Sequence, residues 1–234
     1  MLFFASTYSD PTIITYVGLV LALGLALAFE FVNGFHDTAN AVATVIYTNT
    51  LKPTPAVVWS GICNLIGVLS SSGLVAFAIV TLLPAELVVN IGSGAGFAMV
   101  FSLLISAIIW NVSTWYFALP ASSSHTLVGA IIGVGLANAF LEPNATITSG
   151  VDWAEAEKVG LGLLISPLLG FICAAALLLL CKALIKNPAL YEAPKNKEKP
   201  PLWIRGILLT TCTGVSFAHG SNDGQKGMGL IVLI

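Results

Sequence analysis

Long apolar runs alternate with short polar segments along almost the whole chain. A membrane span needs about 20 mainly apolar residues, and runs of that kind lie at about 12–32, 56–83, 95–119, 124–141, 159–185 and 203–218. A shorter run covers 39–48, and a last one starts near 227. Several runs contain internal Gly, Ser or Pro, as the broken helices of transporters do. The pattern predicts an all-α integral membrane protein, a polytopic helical bundle.

Composition and charge placement support this prediction. Apolar residues make up 57% of the chain and charged residues only 9%, against about 25% charged in soluble domains. Six of the nine basic residues fall between positions 182 and 205, which argues against a nucleic-acid-binding surface and for one cytoplasmic loop at 186–202. The acidic segment 142–158 is then outside. The N-terminus lacks the basic start of a cleavable signal, so we expect residues 12–32 to be a retained span.

An internal repeat relates the two ends of the chain. "FVNGFHDTANA" at 31–41 aligns with "FAHGSNDGQKG" at 217–227. Many transporters consist of such repeats, with the substrate held where they meet. The second copy has only begun when the sequence stops inside an apolar run. We therefore expect the N-terminal part of a longer protein, with a first transmembrane repeat at 1–185, a cytoplasmic basic loop at 186–202 and a truncated second repeat at 203–234. The identical positions are Phe31 and Phe217, Gly34 and Gly220, and Asp37 and Asp223.

The first copy of the repeat carries a polar stripe within an apolar stretch. Four polar residues are spaced four, three and four apart, which places them on one helix face, and Glu30 falls close to that face. A charged side chain at the bilayer centre costs about 2.5–3.5 kcal/mol, so the stripe must face protein or a water-filled cavity. The stripe is either a set of polar contacts that hold helices together or a binding site. The similar polar residues around Asp223 in the second copy of the repeat favour a binding site. The stripe residues are Asn33, Asp37, Asn40 and Thr44.

A second polar segment, "LPASSSHTLVGAIIG", covers residues 119–133. Pro120 and the three serines after it predict a helix start at membrane depth. Free backbone N–H groups with added hydroxyls form a ready anion site. The serines could equally be simple caps of a helix at the membrane interface, and the segment alone leaves the two interpretations open.

The charged residues of the chain limit which groups could donate to a bound anion. The only arginine, Arg205, borders the basic loop, so an arginine fork around a buried oxyanion is excluded for these residues. The remaining donors are backbone N–H groups, hydroxyls, Asn amides, Gln225 and, as an open alternative, Lys226. Acids in the same site would repel an anion unless Na⁺ or H⁺ enters with it. This is the physical logic of coupled symport.

An enzymatic function is disfavoured. Ser124, His125 and Asp37 could be drawn as a catalytic triad, and Asp37 with Asp223 as an aspartyl pair. No GxSxG or HExxH pattern accompanies them. The histidines and the four cysteines lack metal-ligand spacing. We therefore expect no enzyme activity, no resident metal and no bound cofactor.

Three segments together resemble the PiT family of inorganic phosphate transporters, most of all its bacterial Pit-type branch. They are "GFHDTANAVATV", "LPASSSHTLVGAIIG" and "HGSNDGQKGMG". The resemblance implies a multi-pass inner-membrane protein of inverted repeats with broken and re-entrant helices, often a homodimer. It also implies symport of inorganic phosphate with H⁺ or Na⁺, partly as a neutral complex with a divalent metal. The expected partners are phosphate and the lipid bilayer, and not nucleic acid.

The resemblance also assigns site residues by position. Asp37, Asn40, Asn222 and Asp223 would line the site, and the serine-rich segment would donate to phosphate oxygens. Two alternatives remain, an inactive truncated fragment or subunit and an uncoupled anion channel. We expect cation coupling by Asp37, Asp223 and Glu30. The predicted phosphate-binding residues are Asn40, Ser122, Ser123, Ser124, Thr126, Asn222 and Gln225.

Overall fold

A computed structural model describes residues 12–82, 94–141, 150–192 and 199–234. Within these ranges the chain is helical and contains no strand, as the apolar runs predict. A short 3₁₀ turn covers Pro188–Leu190. The helices are α1 (Ile13–Tyr47), α2 (Pro53–Leu69), α3 (Leu74–Leu82), α4 (Gly94–Tyr116), α5 (Ser123–Leu141), α6 (Trp153–Leu184) and α7 (Leu202–Leu233).

Both copies of the repeat lie inside long helices. The apolar runs at 12–32 and 39–48 are parts of one helix, α1, and the runs at 203–218 and from 227 are parts of α7. The sequence separated these runs because polar residues interrupt the apolar pattern. Helical backbone groups satisfy one another regardless of side chain, so polar residues that find partners need not break the helix.

A bend separates α2 from α3. The two helices meet at 75° across a break of no more than four residues, and Gly73 at the break has φ +76°, a conformation that favours glycine. The pair is either one broken span or a re-entrant loop. The predicted run at 56–83 is thus a broken helix, as its internal Ser and Gly residues indicated.

Helix α7 contacts α1, α2 and α3. Its contact with α2 is a backbone contact, because a Cβ on Gly67 would overlap the Phe217 carbonyl and lie 2.7 Å from the Ser221 nitrogen. A Cβ on Gly220 would overlap the backbone of Asn64 in the same way. Small residues allow this approach in membrane helices, and it brings the second copy of the repeat directly against α2.

Helices α1, α4 and α5 share an apolar core with Phe29, Leu104 and Ile131 fully buried. Helix α6 begins at Trp153, earlier than the predicted 159, because Asp152 caps it by accepting from the amides of Ala154 and Glu155. None of its most apolar window is buried in the protein, as expected of a helix that faces lipid. Four described helices are long and apolar enough to cross a membrane, or five if the bent pair is one span.

Candidate functional site

A cluster of charged side chains joins the two copies of the repeat. Asp37 on α1 and Asp223 on α7 lie on either side of His219, whose Nε2 atom is 3.3 Å from the Oδ2 atom of each carboxylate. His219 and Asp223 are one turn apart on α7, so the spacing alone places them on one face. The two aspartates that align in sequence therefore meet in space.

Lys226 and Ser123 complete the cluster. The Nζ atom of Lys226 is 2.8 Å from Asp223 Oδ2 and donates to Ser123 Oγ at 3.1 Å. Ser123, at the first turn of α5, also lies 3.4 Å from the Oδ2 atoms of both Asp37 and Asp223. Lys226 is only 4% exposed, so its charge is compensated by this carboxylate and not by water.

The second ring nitrogen of His219 contacts helix α2. Its Nδ1 atom lies 2.9 Å from Asn64 Oδ1, while the Asn64 amide donates to the Ser60 carbonyl at 2.9 Å. Ser60 in turn shares a 2.8 Å hydrogen bond with Ser216. Both ring nitrogens of His219 thus face oxygen atoms, an arrangement that fixes the ring between α2 and the two aspartates.

A cavity of about 240 Å³ lies on one side of the cluster, between α1, α2 and α7. Glu30, Asn33, Asn64, His219 and Asp223 line it. The Oε1 atom of Glu30 and the Oδ1 atom of Asn33 are buried there without a hydrogen-bond partner. Buried oxygen acceptors that lack a donor cost free energy, and a proton or a cation would supply what they lack.

A larger cavity of about 410 Å³ lies on the other side, between α3, α5, α6 and α7. Its polar lining consists of Ser124, Asn222 and Lys226. All three side chains are hydrogen-bond donors, and one is cationic. The rest of its described lining is apolar. Its polar end therefore offers the donors of an anion site, and the Asp223–Lys226 ion pair joins the linings of the larger and the smaller cavity.

The serine-rich segment is divided among different surroundings. Helix α5 begins at Ser123, as predicted. Ser123 reaches the charged cluster and Ser124 the cavity beside it, whereas Ser122 and Thr126 line a separate groove of about 740 Å³ along α4 and α5. Ser122 Oγ accepts from the His125 amide at 3.4 Å, which is the capping role that the sequence left open. The structure thus brings one of these residues into direct contact with the aspartates.

The remaining predicted residues are placed as follows. Asn40 is exposed on α1, and Glu30 lines the smaller cavity. Gln225 is buried, and its Oε1 atom accepts from the amides of Val75 and Ala76 at the start of α3. A glutamine that caps a helix has no free oxygen for a ligand, so its predicted contact with phosphate would rest on the amide nitrogen, which donates to the Ser221 carbonyl.

Sequence reasoning did not select His219 or Asn64, and it left Lys226 as an option. His219 and Lys226 lie four residues before and three after Asp223, so helical spacing around that aspartate could have found both. Asn64 carries no comparable signal, because only the close contact of α2 with α7 brings it to His219.

The cluster also has the donor set of a metal site. One ligand atom each from Asp37, His219 and Asp223 lie within 4.8 Å of one another, the only such group of three among the residues that the structure describes. Carboxylate and imidazole ligands suit several divalent ions. Lys226 competes for the same Asp223 oxygen.

The fold and the site define a class. A multi-pass helical bundle with partly buried ion pairs at the meeting point of two repeats is the architecture of a membrane transporter. The profile described as "Phosphate transporter family" matches residues 33–234. The chain belongs to this family.

Relatives agree with that membership. The chain is 48% identical over 231 residues to the low-affinity inorganic phosphate transporter PitB of Escherichia coli (strain K12), covering 94% of this chain and 46% of PitB. It is 33% identical over 214 residues to a probable low-affinity inorganic phosphate transporter of Bacillus subtilis (strain 168), covering 92% and 59%. The chain thus spans about half the length of the curated relatives it matches. These relatives are transporters, not enzymes.

The fold has a solved counterpart. A structure titled "The sodium-dependent phosphate transporter" superposes with a TM-score of 0.69 at 21% identity, covering 93% of this chain and 67% of that one. At this identity the likeness concerns the fold. It agrees with the predicted all-helical, multi-pass transporter fold.

Proposed function

We propose that this chain contributes to the transport of inorganic phosphate by cation symport. The observation that carries the proposal is the meeting of Asp37, Ser123 and Asp223 in one partly buried cluster. Two of these residues come from the two copies of the repeat and the third from a helix start. A cluster that only clamped helices together would need no cavities beside it, yet a cavity lies on each side.

Phosphate would occupy the larger cavity. Lys226 offers phosphate an ammonium group, Ser124 a hydroxyl and Asn222 an amide. No arginine lines this cavity, so these three side chains would be the donors to the anion. Charge-assisted hydrogen bonds are the strongest that such donors make. Ser122, Thr126, Asn40 and Gln225 remain candidates for a different conformation, because transporters expose their sites alternately through rocking of one bundle against another.

The coupling cation would occupy the smaller cavity. Glu30 Oε1 and Asn33 Oδ1 present buried oxygens without donors, and Asp223 faces both this cavity and Lys226. A cation or proton bound there offsets the negative charge of Asp223. The ammonium group of Lys226 then attracts phosphate more strongly. Coupling then follows because Asp223, beside the cation, is paired with Lys226, which faces phosphate. Each ion reduces the electrostatic cost of binding the other.

A form in which phosphate travels as a neutral complex with a divalent metal is a second proposal. The observation that favours it is the convergence of Asp37, His219 and Asp223. Replacing His219 by Gln would then lower metal-dependent phosphate uptake more than uptake in a chelator. Equal losses in both conditions would count against a metal ligand.

Uptake of radiolabelled phosphate by transport-deficient cells expressing the chain tests the main proposal. We expect uptake that a protonophore or removal of the coupling ion abolishes. Uptake indifferent to ion gradients would indicate the channel. No uptake by the chain, with uptake restored when it is joined to the remainder of a relative, would indicate that transport needs both halves. No uptake in either form would contradict the proposal.

A further inference from the structure

Lys226 lies where a cation from solution would otherwise be needed. Its ammonium group has an anionic partner, Asp223 Oδ2 at 2.8 Å, and a hydroxyl partner, Ser123 Oγ at 3.1 Å. Carboxylate and hydroxyl oxygens are also ligands of hard metal cations. The ammonium group thus fills a position that has the chemistry of a cation site.

We propose that Lys226 is a tethered cation that neutralises Asp223, the carboxylate that borders the smaller cavity, and so removes the requirement for Na⁺ beside it. The inference rests on the proposed function and deepens it, since it assigns one residue of the chain to the choice between the two coupling ions considered there. A covalently held ammonium group offsets the Asp223 carboxylate permanently. Na⁺ then gains little by entering, whereas phosphate still finds a positive charge.

The position of Lys226 differs from that of a purely structural ion pair. Its side chain is 4% exposed, yet it lines the cavity of about 410 Å³ together with Ser124 and Asn222. A structural pair would be enclosed by packing on all sides. Here the charge adjoins a space far larger than one water molecule, which takes up about 30 Å³. The polar part of that space consists of Lys226, Ser124 and Asn222, and the rest of its described lining is apolar.

The positive charge of Lys226 is present in the second copy of the internal repeat and absent from the first. Lys226 aligns with Asn40, a neutral residue that is exposed on α1. Asp37 aligns with Asp223, so the two copies share this negative charge but not the positive charge of Lys226. Lys226 is therefore a feature of the second copy that the repeat itself does not require.

Binding of ²²Na⁺ to the purified full chain, with a chelator present to exclude divalent ions, tests the inference directly. We expect no saturable Na⁺ binding by the unmodified chain. Lys226→Gln should bind Na⁺ saturably, with an affinity at least about tenfold above the detection limit that the unmodified chain sets, equivalent to about 1.4 kcal/mol, because the unpaired Asp223 recruits a cation. Lys226→Arg should not gain it, and adding Asp223→Asn to Lys226→Gln should abolish the gain.

Lys158→Met is the matched control for loss of a lysine, since Lys158 is exposed on α6 and pairs with Glu155. It should not bind Na⁺. Saturable Na⁺ binding by the unmodified chain would overturn the inference, and this result requires no variant to fold. A folded Lys226→Gln protein, monodisperse in detergent, that gains no Na⁺ binding would also overturn it.

Phosphate uptake separates this inference from the proposed function. Uptake by the unmodified chain should be unchanged when Na⁺ is replaced by choline at constant pH. If the chain takes up no phosphate but Lys226→Gln still gains Na⁺ binding, the proposed function fails and the tethered cation stands. If uptake proceeds but requires Na⁺, the tethered cation fails and the proposed function stands.

Discussion

Asp37 and Asp223, which come from opposite ends of the chain, share the same donor, because His219 Nε2 lies 3.3 Å from the Oδ2 atom of each. Either aspartate therefore affects the other through the imidazole. We expect Asp37→Asn to reduce phosphate uptake at least tenfold, since a hydrogen bond to a charged group contributes about 1.5–3 kcal/mol, or about ten- to hundredfold in an equilibrium constant. Radiolabelled uptake normalised to the amount of protein in the membrane measures this.

A matched control for Asp37→Asn is Asp152→Asn. Asp152 caps α6 through its side chain, and Asn caps helices about as well as Asp, so this variant should keep both its membrane level and its uptake. Near-normal uptake by Asp37→Asn would contradict the assigned role. Loss of Asp37→Asn from the membrane would show that the carboxylate is needed for folding, and Asp37→Glu would then test function.

The serine-rich segment gives a second prediction. Ser123→Ala removes the hydroxyl that contacts Lys226 and both aspartates, and a lost hydrogen bond of this kind costs about 1–3 kcal/mol. We expect uptake to fall severalfold to a hundredfold. Ser122→Ala removes only a weak cap at 3.4 Å and should retain most uptake. Dose curves of uptake against phosphate concentration compare the two, and the opposite order would place phosphate in the groove along α4 and α5.

Much of the fold could be predicted from the sequence, because lipid imposes a simple rule on span length and polarity. The bilayer requires about 20 apolar residues per span, and the runs at 95–119 and 124–141 correspond closely to α4 and α5. Runs interrupted by polar residues were divided wrongly within α1 and α7. Apolar residues indicate contact with lipid, whereas polar residues that interrupt the runs in α1 and α7, such as Asp37 and Asp223, contact other helices of the protein.

The candidate site could be predicted in part. The repeat identified Asp37 and Asp223, because identical polar residues at corresponding positions of two copies indicate a common site where the copies meet. Asn64 could not be found, since it reaches His219 only through the glycine contact of α2 with α7. The division of the serines among three surroundings depends on the rotation of α5, which sequence spacing leaves free.

Gln225 gives a third prediction, which separates capping from binding. Gln225→Met leaves the partly buried amide of Val75 and the buried amide of Ala76 without their acceptor, which costs about 1–3 kcal/mol. We expect a lower melting temperature in detergent, with the phosphate concentration for half-maximal uptake unchanged. A change in apparent affinity at unchanged stability would instead support direct contact with phosphate.

The backbone contact of α2 with α7 gives the last prediction. A Cβ on Gly67 would overlap the Phe217 carbonyl, so Gly67→Ala must push the two helices apart and carry Asn64 away from His219. Overpacking of this kind costs about 1–3 kcal/mol. We expect a lower melting temperature by fluorescence-detected size exclusion and reduced uptake by the protein that remains folded. Gly214→Ala is the control on α7, because a Cβ there meets nothing within 4 Å and Ala is favoured over Gly in a helix by about 1 kcal/mol. It should leave stability unchanged or raise it, and equal destabilisation by both substitutions would show that the close contact at Gly67 is not what holds α2 against the site.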